Sequence, residues 1–181
     1  MRKFNNCLII GGTGRNIGKT TLTEKIIKRF GKEVPVTAVK IANIKPAEQT
    51  FHGHPVPSFQ DKIRIIRETR TNGNKDSMRF LKAGATVSWY IQTEDAFLPE
   101  TFPEIEKILN EASWVVCESN NLRRFIRPAL FIMVKGEEDT ASKKNTPALL
   151  QQADVVLKAL HEKDFDALVN QIKIVNGRFV L

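Results

Sequence analysis

Four glycines and a Lys-Thr pair lie within ten residues of the chain, in the stretch GGTGRNIGKT from Gly11 to Thr20. Its last three residues, Gly18-Lys19-Thr20, match the end of the template G-x-x-x-x-G-K-[ST], whereas the first glycine of the template falls on Thr13. Glycines let backbone N–H groups turn inward around anionic oxygens. A helix that begins at Lys19 would direct its positive dipole end to the same point. The stretch therefore predicts a loop that binds phosphate.

The side chains of this loop have separate predicted roles. Lys19 would reach the β- and γ-phosphates of a nucleoside triphosphate, where it would act as a catalytic residue, and the Thr20 hydroxyl would ligate Mg²⁺. An ordinary glycine-rich turn is the alternative, but a strand, the loop, Lys-Thr and an amphipathic helix in this order favour nucleotide binding. Thr21 supplies a second hydroxyl at the helix terminus. The predicted phosphate-binding residues are Gly12, Thr13, Gly14, Arg15, Asn16, Ile17, Gly18, Lys19, Thr20 and Thr21.

A carboxylate at the end of another apolar run is the candidate magnesium anchor. Glu118 follows the run Trp114–Cys117, and ligands bind outside the carboxyl ends of parallel strands. Glu118 is therefore predicted to hold Mg²⁺ together with Thr20 and to be catalytic; the alternative is a turn cap shared with Ser119 and Asn120. Cys117 itself is interpreted as a small core residue, not as a reactive thiol.

Short apolar runs alternate with amphipathic stretches along the chain, which predicts an α/β fold with a mostly parallel central sheet. With 181 residues, 41% of them hydrophobic, we expect a single domain over residues 1–181. The expected strands are Cys7–Ile10, Val34–Ile41, Lys62–Thr69, Val87–Ile91, Trp114–Cys117, Ala129–Val134 and Val155–Leu157. The expected helices run from Lys19 to Gly31, from a cap at Asn74 or Asp76 through Lys82, from the capping box Thr101–Glu104 through Ala112, from Thr146, and around Phe165–Ile172. Asn176-Gly177 is expected to turn the chain into a final edge strand.

The composition indicates the cellular compartment and the kind of binding partner to expect. The two cysteines, Cys7 and Cys117, give no disulfide framework, and no apolar stretch reaches the length of a membrane span. A cytoplasmic protein without a membrane partner is expected. The 28 Lys and Arg residues against 20 Asp and Glu residues give a net charge of +8, which favours an anionic partner. The basic residues lack interleaved aromatics, so nucleic acid is not the expected partner.

Several segments together resemble the molybdopterin-guanine dinucleotide biosynthesis protein B (MobB) group of P-loop proteins, from about residue 7 to about residue 134. These segments are the loop GGTGRNIGKTTL, the strand AVKIANIK, the segment GNKDSMRFLKAGA and the strand VVCES. The residues at family positions are Lys40, Lys75-Asp76-Ser77, Arg79, Ala83-Gly84-Ala85 and Glu118.

The resemblance implies a three-layer P-loop NTPase fold that binds Mg²⁺ with GTP or ATP. It implies an accessory protein or slow NTPase in molybdopterin guanine dinucleotide biosynthesis, with an anionic pterin, a biosynthesis protein or a second copy of the chain as further candidate partners. Asp76, as a catalytic residue, and Lys40 and Arg79, as binding residues, would face the nucleotide or substrate. Asp76 and Arg79 also have the spacing of a simple intrahelical pair.

The chain departs from the group at three places. Ile41-Ala42-Asn43 stands where typical members have histidines, and Ser119-Asn120-Asn121 replaces glycine and an aromatic residue. Thr13 is similar to the corresponding threonine in the dethiobiotin-synthetase type of loop. A small-molecule kinase or ligase of that type, and a nucleotide-gated adaptor without turnover, therefore stay open as alternatives.

Three further features have no assigned role in the sequence. His52 and His54 flank Gly53 in a loop rich in proline, where solvated side chains are favoured over a metal pair. Arg123, Arg124 and Arg127 follow Glu118 and suit either phosphate recognition or a solvated basic loop. The late strand lacks an N-K-x-D segment, which leaves the choice between guanine and adenine open.

Overall fold

A computed structural model describes residues 1–43, 50–51, 54–55, 63–136, 146–158 and 162–181. The strands in these ranges are β1 (Arg2–Gly12), β2 (Val36–Asn43), β3 (Thr50–Phe51), β4 (His54–Pro55), β5 (Ile63–Glu68), β6 (Val87–Thr93), β7 (Trp114–Glu118), β8 (Ile126–Lys135), β9 (Val155–Lys158), β10 (Lys173–Val175) and β11 (Arg178–Val180). The α-helices are α1 (Lys19–Phe30), α2 (Asp76–Lys82), α3 (Leu98–Glu111), α4 (Thr146–Gln152) and α5 (Glu162–Gln171). Two short 3₁₀ helices cover Asp95–Phe97 and Leu122–Arg124.

Seven strands form one sheet in the order β5-β6-β2-β7-β1-β8-β9, and all neighbours are parallel except β5 and β6. The register places Glu118 of β7 level with Ile10 of β1 on one side and with Lys40 of β2 on the other. The carboxyl ends of these three central strands therefore meet at one edge of the sheet. The predicted mostly parallel sheet is confirmed.

Helices cover both faces of the sheet, which explains why the central strands are apolar throughout. Along β1, Leu8 and Ile10 pack in one apolar cluster with residues of α1, α2 and α5. Cys7 and Ile9 point to the other face and pack with residues of α3 and α4. All four side chains are fully buried, and burial of each aliphatic side chain contributes about 1.5–3 kcal/mol.

The C-terminal residues close one side of this core. Asn176 and Gly177 have φ angles of 49° and 72° and form the tight turn between antiparallel β10 and β11. Phe179 is buried and its ring lies 5.5 Å from that of Phe30 and 5.0 Å from that of Trp114, centroid to centroid. The expected turn is thus confirmed, but β11 forms a separate two-stranded sheet with β10 and does not extend the main sheet.

One expected helix start and one expected helix cap are wrong. Helix α3 begins at Leu98, three residues before the predicted capping box, with Pro99 in its first turn and Pro103 inside the helix. Leu98 is buried and extends the apolar face of the helix toward the core, and the Thr101 hydroxyl donates back to the Phe97 carbonyl at 2.7 Å. Packing of one more apolar turn therefore fixes the start of α3.

Helix α2 has no side-chain cap. Its N-cap residue is Lys75, so neither Asn74 nor Asp76 occupies the predicted capping position. Asp76 is the first helical residue, and its carboxylate instead lies 2.7 Å from the Lys40 ammonium. An ion pair with a buried lysine thus takes the place of a capping hydrogen bond.

The remaining predictions outside the core have mixed outcomes. The stretch Lys62–Thr69 is largely a strand, as expected, since β5 covers Ile63–Glu68 and Lys62 lies outside the described residues. The predicted loop before it contains a two-residue antiparallel pair, β3 with β4. His54 lies in β4, whereas His52 and Gly53 lie outside the described residues. None of the helices in the described part of the chain has the length and apolar character needed to span a membrane.

Candidate functional site

A cavity of about 860 Å³ opens at the edge of the sheet where β1, β2 and β7 end. Its walls come from the β1–α1 loop, the first turn of α1, the ends of β2 and β7, and α2. Most of the residues that the sequence predicts for binding or catalysis line it. These are Gly14, Arg15, Asn16, Ile17, Gly18, Lys19, Thr20, Thr21, Lys40, Asp76, Arg79 and Glu118.

The β1–α1 loop is held by contacts between its side chains and the backbone of glycines. A Cβ atom added to Gly12 would lie 2.7 Å from the Cδ1 of Ile17, and one added to Gly136 would lie 2.9 Å from the Cγ2 of the same residue. Ile17 is therefore packed between two glycines that leave room for it, one at the end of β1 and one just after β8. This packing fixes the middle of the loop against the sheet.

Gly18 joins the loop to α1 in a conformation that other residues rarely adopt. Its φ is +86°, and a Cβ atom there would lie 2.5 Å from the ring of Phe165 on α5. Asn16 also has a positive φ, of 57°. The positive φ angles at Asn16 and Gly18 turn the chain sharply before α1. The first N–H groups of a helix lack intrahelical acceptors. The start of α1 thus faces the cavity with backbone donors.

Asn120 ties the loop to the end of β7. Its side-chain amide donates to the Gly12 carbonyl at 2.8 Å, and its side-chain oxygen accepts from the Gly12 N–H at 2.7 Å. Both backbone groups of Gly12 are thereby used. From the sequence, Asn120 is predicted only as part of a turn. Its place two residues after Glu118 is the signal that it lies at the same sheet edge.

Gly12 and Thr13 do not line the cavity, although both were predicted to bind phosphate. The Thr13 N–H donates to the Val134 carbonyl at 3.0 Å, and its hydroxyl accepts from the Gly136 N–H at 3.2 Å. Thr13 is also nearly buried, with 6% of its surface exposed. Both residues thus anchor the loop to neighbouring strands in this structure.

Thr20 and Glu118 meet at the start of α1. The Thr20 hydroxyl donates to one carboxylate oxygen of Glu118 at 2.9 Å. The Lys19 ammonium, one residue earlier, donates to the Gly14 carbonyl within the loop. A hydroxyl, a carboxylate and an ammonium group are therefore arranged around the same end of the cavity.

Lys40 bridges the two acidic residues of the site. Its ammonium lies 2.5 Å from the second oxygen of Glu118 and 2.7 Å from an oxygen of Asp76. All three side chains are at most 11% exposed. Burial acts to lower the pKa of Lys40, but the charges of Glu118 and Asp76 outweigh it and raise the pKa above its ordinary value. Lys40 is thus held in its charged form.

Arg79 reaches the cavity but is paired with Glu24, for which the sequence predicts no role. Its guanidinium donates two hydrogen bonds to the Glu24 carboxylate of α1, at 2.9 and 2.5 Å. The intrahelical pair with Asp76 also exists, at a longer distance of 3.9 Å. The bidentate bond joins α2 to α1 across the cavity wall.

Other sequence features lie away from this cavity. Arg123, Arg124 and Arg127 do not line it. Burial raises the pKa of the Cys117 thiol well above its ordinary value, and that of Cys7 as well, so both stay protonated. The expectation that Cys117 is a core residue is confirmed, because it is fully buried.

The donors at Thr20 and Glu118 suit a hard cation. Among the described residues, no group of three or more His, Cys, Asp or Glu side chains is placed to hold a metal ion. Mg²⁺ does not need such a group, because it is commonly bound by one or two carboxylates together with substrate phosphates and water. The hydroxyl and carboxylate oxygens present therefore fit Mg²⁺ in company with a phosphate ligand.

Comparison with known proteins gives no relative for this chain. No protein-family model, no curated protein and no solved structure matches it.

Proposed function

We propose that this chain is a P-loop protein of the MobB-like type, which binds a nucleoside triphosphate with Mg²⁺ and hydrolyses it slowly. One observation carries the proposal: the Thr20 hydroxyl contacts the Glu118 carboxylate at the start of α1, beside Lys19, in a cavity of about 860 Å³. A hydroxyl directly after the lysine and a carboxylate from a neighbouring strand are the protein groups that hold magnesium in such sites.

The triphosphate would lie along the β1–α1 loop. Backbone N–H groups between Gly14 and Thr21, together with the start of the α1 dipole, would bind its oxygens. The Lys19 ammonium already lies over this loop, where it donates to the Gly14 carbonyl. When the triphosphate binds, it would donate to the charged phosphate oxygens in place of this neutral carbonyl. Charge-assisted hydrogen bonds are about twice as strong as neutral ones, so the exchange favours binding.

Thr20 and Glu118 would hold the magnesium ion. When bound, Mg²⁺ neutralises charge that develops on the phosphate oxygens during transfer. Lys40 and Asp76 would orient Glu118, because Lys40 lies between the two carboxylates at 2.5 and 2.7 Å.

Slow turnover is proposed from how Arg79 is engaged; Arg15 of the β1–α1 loop also lines the cavity. Arg79 is the arginine on α2 that lines the cavity, and Glu24 holds it with two hydrogen bonds. An arginine that stabilises transition-state charge must be able to reach the phosphate. We therefore expect basal turnover well below a typical ~10 s⁻¹, with acceleration when a partner supplies such a group.

The role in molybdopterin guanine dinucleotide biosynthesis rests on the resemblance of the segments around Lys40, Asp76 and Glu118. These three residues, distant in sequence, form one ion-paired group. An anionic pterin or a biosynthesis protein is the proposed second partner, with a cytoplasmic location. For the base, ATP and GTP affinities are expected to differ by less than about tenfold, or ~1.4 kcal/mol.

A small-molecule kinase or ligase is the second candidate, and the extent of the cavity favours it. The cavity continues past the start of α1 to Asn43 and Asn74, which leaves polar wall beyond the proposed phosphate site. A small acceptor bound there would lie beside Asp76. In that case, loss of triphosphate would require the acceptor and would yield a phosphorylated product.

Substitution of Lys19 tests the binding proposal. Lys19→Ala is expected to abolish triphosphate binding, measured by calorimetry with Mg²⁺, while the melting temperature without ligand stays close to that of the parent. Lys28→Ala on the exposed side of the same helix is the matched control. Equal affinity in Lys19→Ala and the parent would refute the proposed site.

Substitution of Glu118 tests the magnesium anchor. Glu118→Gln keeps the size and hydrogen-bonding capacity but removes the charge, so it is expected to raise the magnesium requirement and to lower turnover further. Glu104→Gln, at an exposed position of α3, is the control. Unchanged magnesium dependence, or brisk hydrolysis by the isolated parent protein, would contradict this assignment; binding without any turnover would favour a nucleotide-gated adaptor.

A further inference from the structure

A second, smaller cavity lies near the amino-terminal half of β8. Its volume is about 90 Å³, and three arginines line it: Arg123, Arg127 and Arg178. Arg127 pairs with Lys3 near the start of β1, whereas Val134 pairs with Gly12 where β1 ends. At about 3.3 Å per residue, Arg127 lies roughly 23 Å along β8 from Val134, and Phe131, which also lines the cavity, lies roughly 10 Å from it. We call this cavity the arginine pocket.

Arg123 is the most enclosed of the three arginines. Its Nε atom is buried and has no hydrogen-bond partner, while one terminal nitrogen donates to the Ile126 carbonyl at 3.2 Å. Its guanidinium carbon lies 5.9 Å from the centre of the Phe131 ring. A buried N–H donor without a partner costs about 1–3 kcal/mol, and the arginine that carries it lines the pocket.

Positive charge in the arginine pocket exceeds negative charge. The acidic residue in its wall is Asp154, and one of its carboxylate oxygens accepts the Phe131 N–H at 2.7 Å. Within the described part of the chain, Arg127 and Arg178 form no ion pair with it or with any other carboxylate. Burial, and then the charge of Arg127, lower the pKa of Arg123, against the opposing effect of Asp154. An anion placed between the guanidinium groups would relieve this repulsion.

We propose that Arg123, Arg127 and Arg178 bind the phosphate group of a small phosphorylated molecule, at a site separate from the large cavity. The pocket of about 90 Å³ is far smaller than the large cavity of about 860 Å³, so its size suits a phosphate group and not a whole nucleotide. Arg127 and Arg178 are exposed, and the rest of the molecule would extend past them into solvent. Planar guanidinium groups bind phosphate with paired hydrogen bonds.

The test uses the full chain carrying Lys19→Ala, which is expected to remove phosphate binding at the large cavity. The proposed pocket does not depend on the nucleotide site, so the same background serves even if that site binds no phosphate. Inorganic phosphate and methyl phosphate are titrated by calorimetry, with chloride keeping the ionic strength constant. One saturable site is expected, and Arg127→Gln with Arg178→Gln should weaken it at least tenfold.

A charge-matched control distinguishes binding at a specific site from a general effect of net charge. Arg124→Gln with Lys28→Gln also removes two positive charges, at two exposed positions outside the arginine pocket, and should change affinity less than twofold. If the double variant in the pocket melts early, the two single variants replace it, each with an expected severalfold loss.

The outcomes separate the possible ligands. Equal binding of methyl phosphate and inorganic phosphate supports a phosphorylated molecule as the ligand, whereas binding of inorganic phosphate alone overturns that choice. Absence of saturable binding, or an equal loss in the control double variant, overturns the pocket itself.

Discussion

At the carboxyl edge of the sheet, Lys40 lies between Asp76 and Glu118 at distances of 2.7 and 2.5 Å. At the arginine pocket, by contrast, Arg127 and Arg178 surround a polar cavity without a described carboxylate partner. The first region holds its charges buried and paired, whereas the second leaves Arg127 and Arg178 exposed and, among the described residues, without a carboxylate partner. Stability should therefore depend strongly on the first region and little on the second, even though both are proposed to bind phosphate.

The largest effect is expected from Lys40→Met. It would leave the Asp76 and Glu118 carboxylates buried without the cation between them, and loss of one partner of a buried ion pair costs about 3–5 kcal/mol. Urea unfolding measures the loss, and Lys28→Met at an exposed position should change stability by less than about 0.5 kcal/mol. Mg²⁺ should restore part of the stability. A loss below about 1 kcal/mol would remove the contrast between the two regions.

The pH dependence sharpens the same contrast. The pKa of Lys40 is raised in the folded protein. The stability that its charged form contributes is therefore complete below its unfolded pKa of about 10.4, and it is lost as the pH rises through the higher folded value. The parent should therefore lose stability above about pH 10.4 by more than Lys40→Met does. Urea titrations at pH 9 to 11.5, with Lys28→Met as the control, measure the difference; parallel profiles of parent and Lys40→Met would contradict it.

A smaller effect is expected at Gly18. A Cβ atom there would lie 2.5 Å from the Phe165 ring, and its φ of +86° is strained for any other residue. Gly18→Ala should destabilise the protein by about 2 kcal/mol or more. Gly14→Ala is the control, because its Cβ would lie at an ordinary 3.6 Å from Ile17, and thermal melting compares the two. Equal melting temperatures would show that the loop shifts away from α5 without cost.

The smallest effect is expected at the arginine pocket. Arg127→Gln with Arg178→Gln should change the free energy of unfolding by less than about 0.5 kcal/mol without phosphate, because both side chains are exposed. In phosphate buffer the parent should melt higher than this variant, since a ligand that binds only the folded state stabilises it. A large loss without phosphate would mean that these arginines serve the fold.

The local patterns in the sequence were sufficient for α1 and for the centre of β1, which extends from Arg2 to Gly12 beyond the predicted Cys7–Ile10. The apolar run Cys7–Ile10, the glycines and the spacing of apolar residues from Lys19 to Phe30 all depend on neighbours in sequence, and α1 ends where Gly31 predicts. The start of α3 could not be read in this way. Two prolines, Pro99 and Pro103, each suit a first helical turn, and only the burial of Leu98 against the sheet decides between them.

The contacts that assemble the site were predicted less completely. Glu118 was predicted from its position at the end of an apolar run, and Lys40 and Asp76 were predicted from a resemblance. Neither ground predicted the ion pairs that join the three residues. Arg79 pairs with Glu24, a residue on another helix 55 positions away, and no periodic pattern reports a contact of that kind. The arginine pocket likewise joins Arg178 to Arg123 through the packing of β11 against the sheet.

The position of β1 between β7 and β8 has a consequence for synthesis on the ribosome. β1 is made early, yet the strands that pair with it begin at Trp114 and Ile126. At about 5–20 residues per second, this leaves a gap of roughly 5 to 20 s in which the apolar run Cys7–Ile10 has no strand beside it. A chaperone that acts on the nascent chain would therefore meet β1 as an exposed apolar segment, and folding efficiency should depend on translation speed between residues 12 and 135.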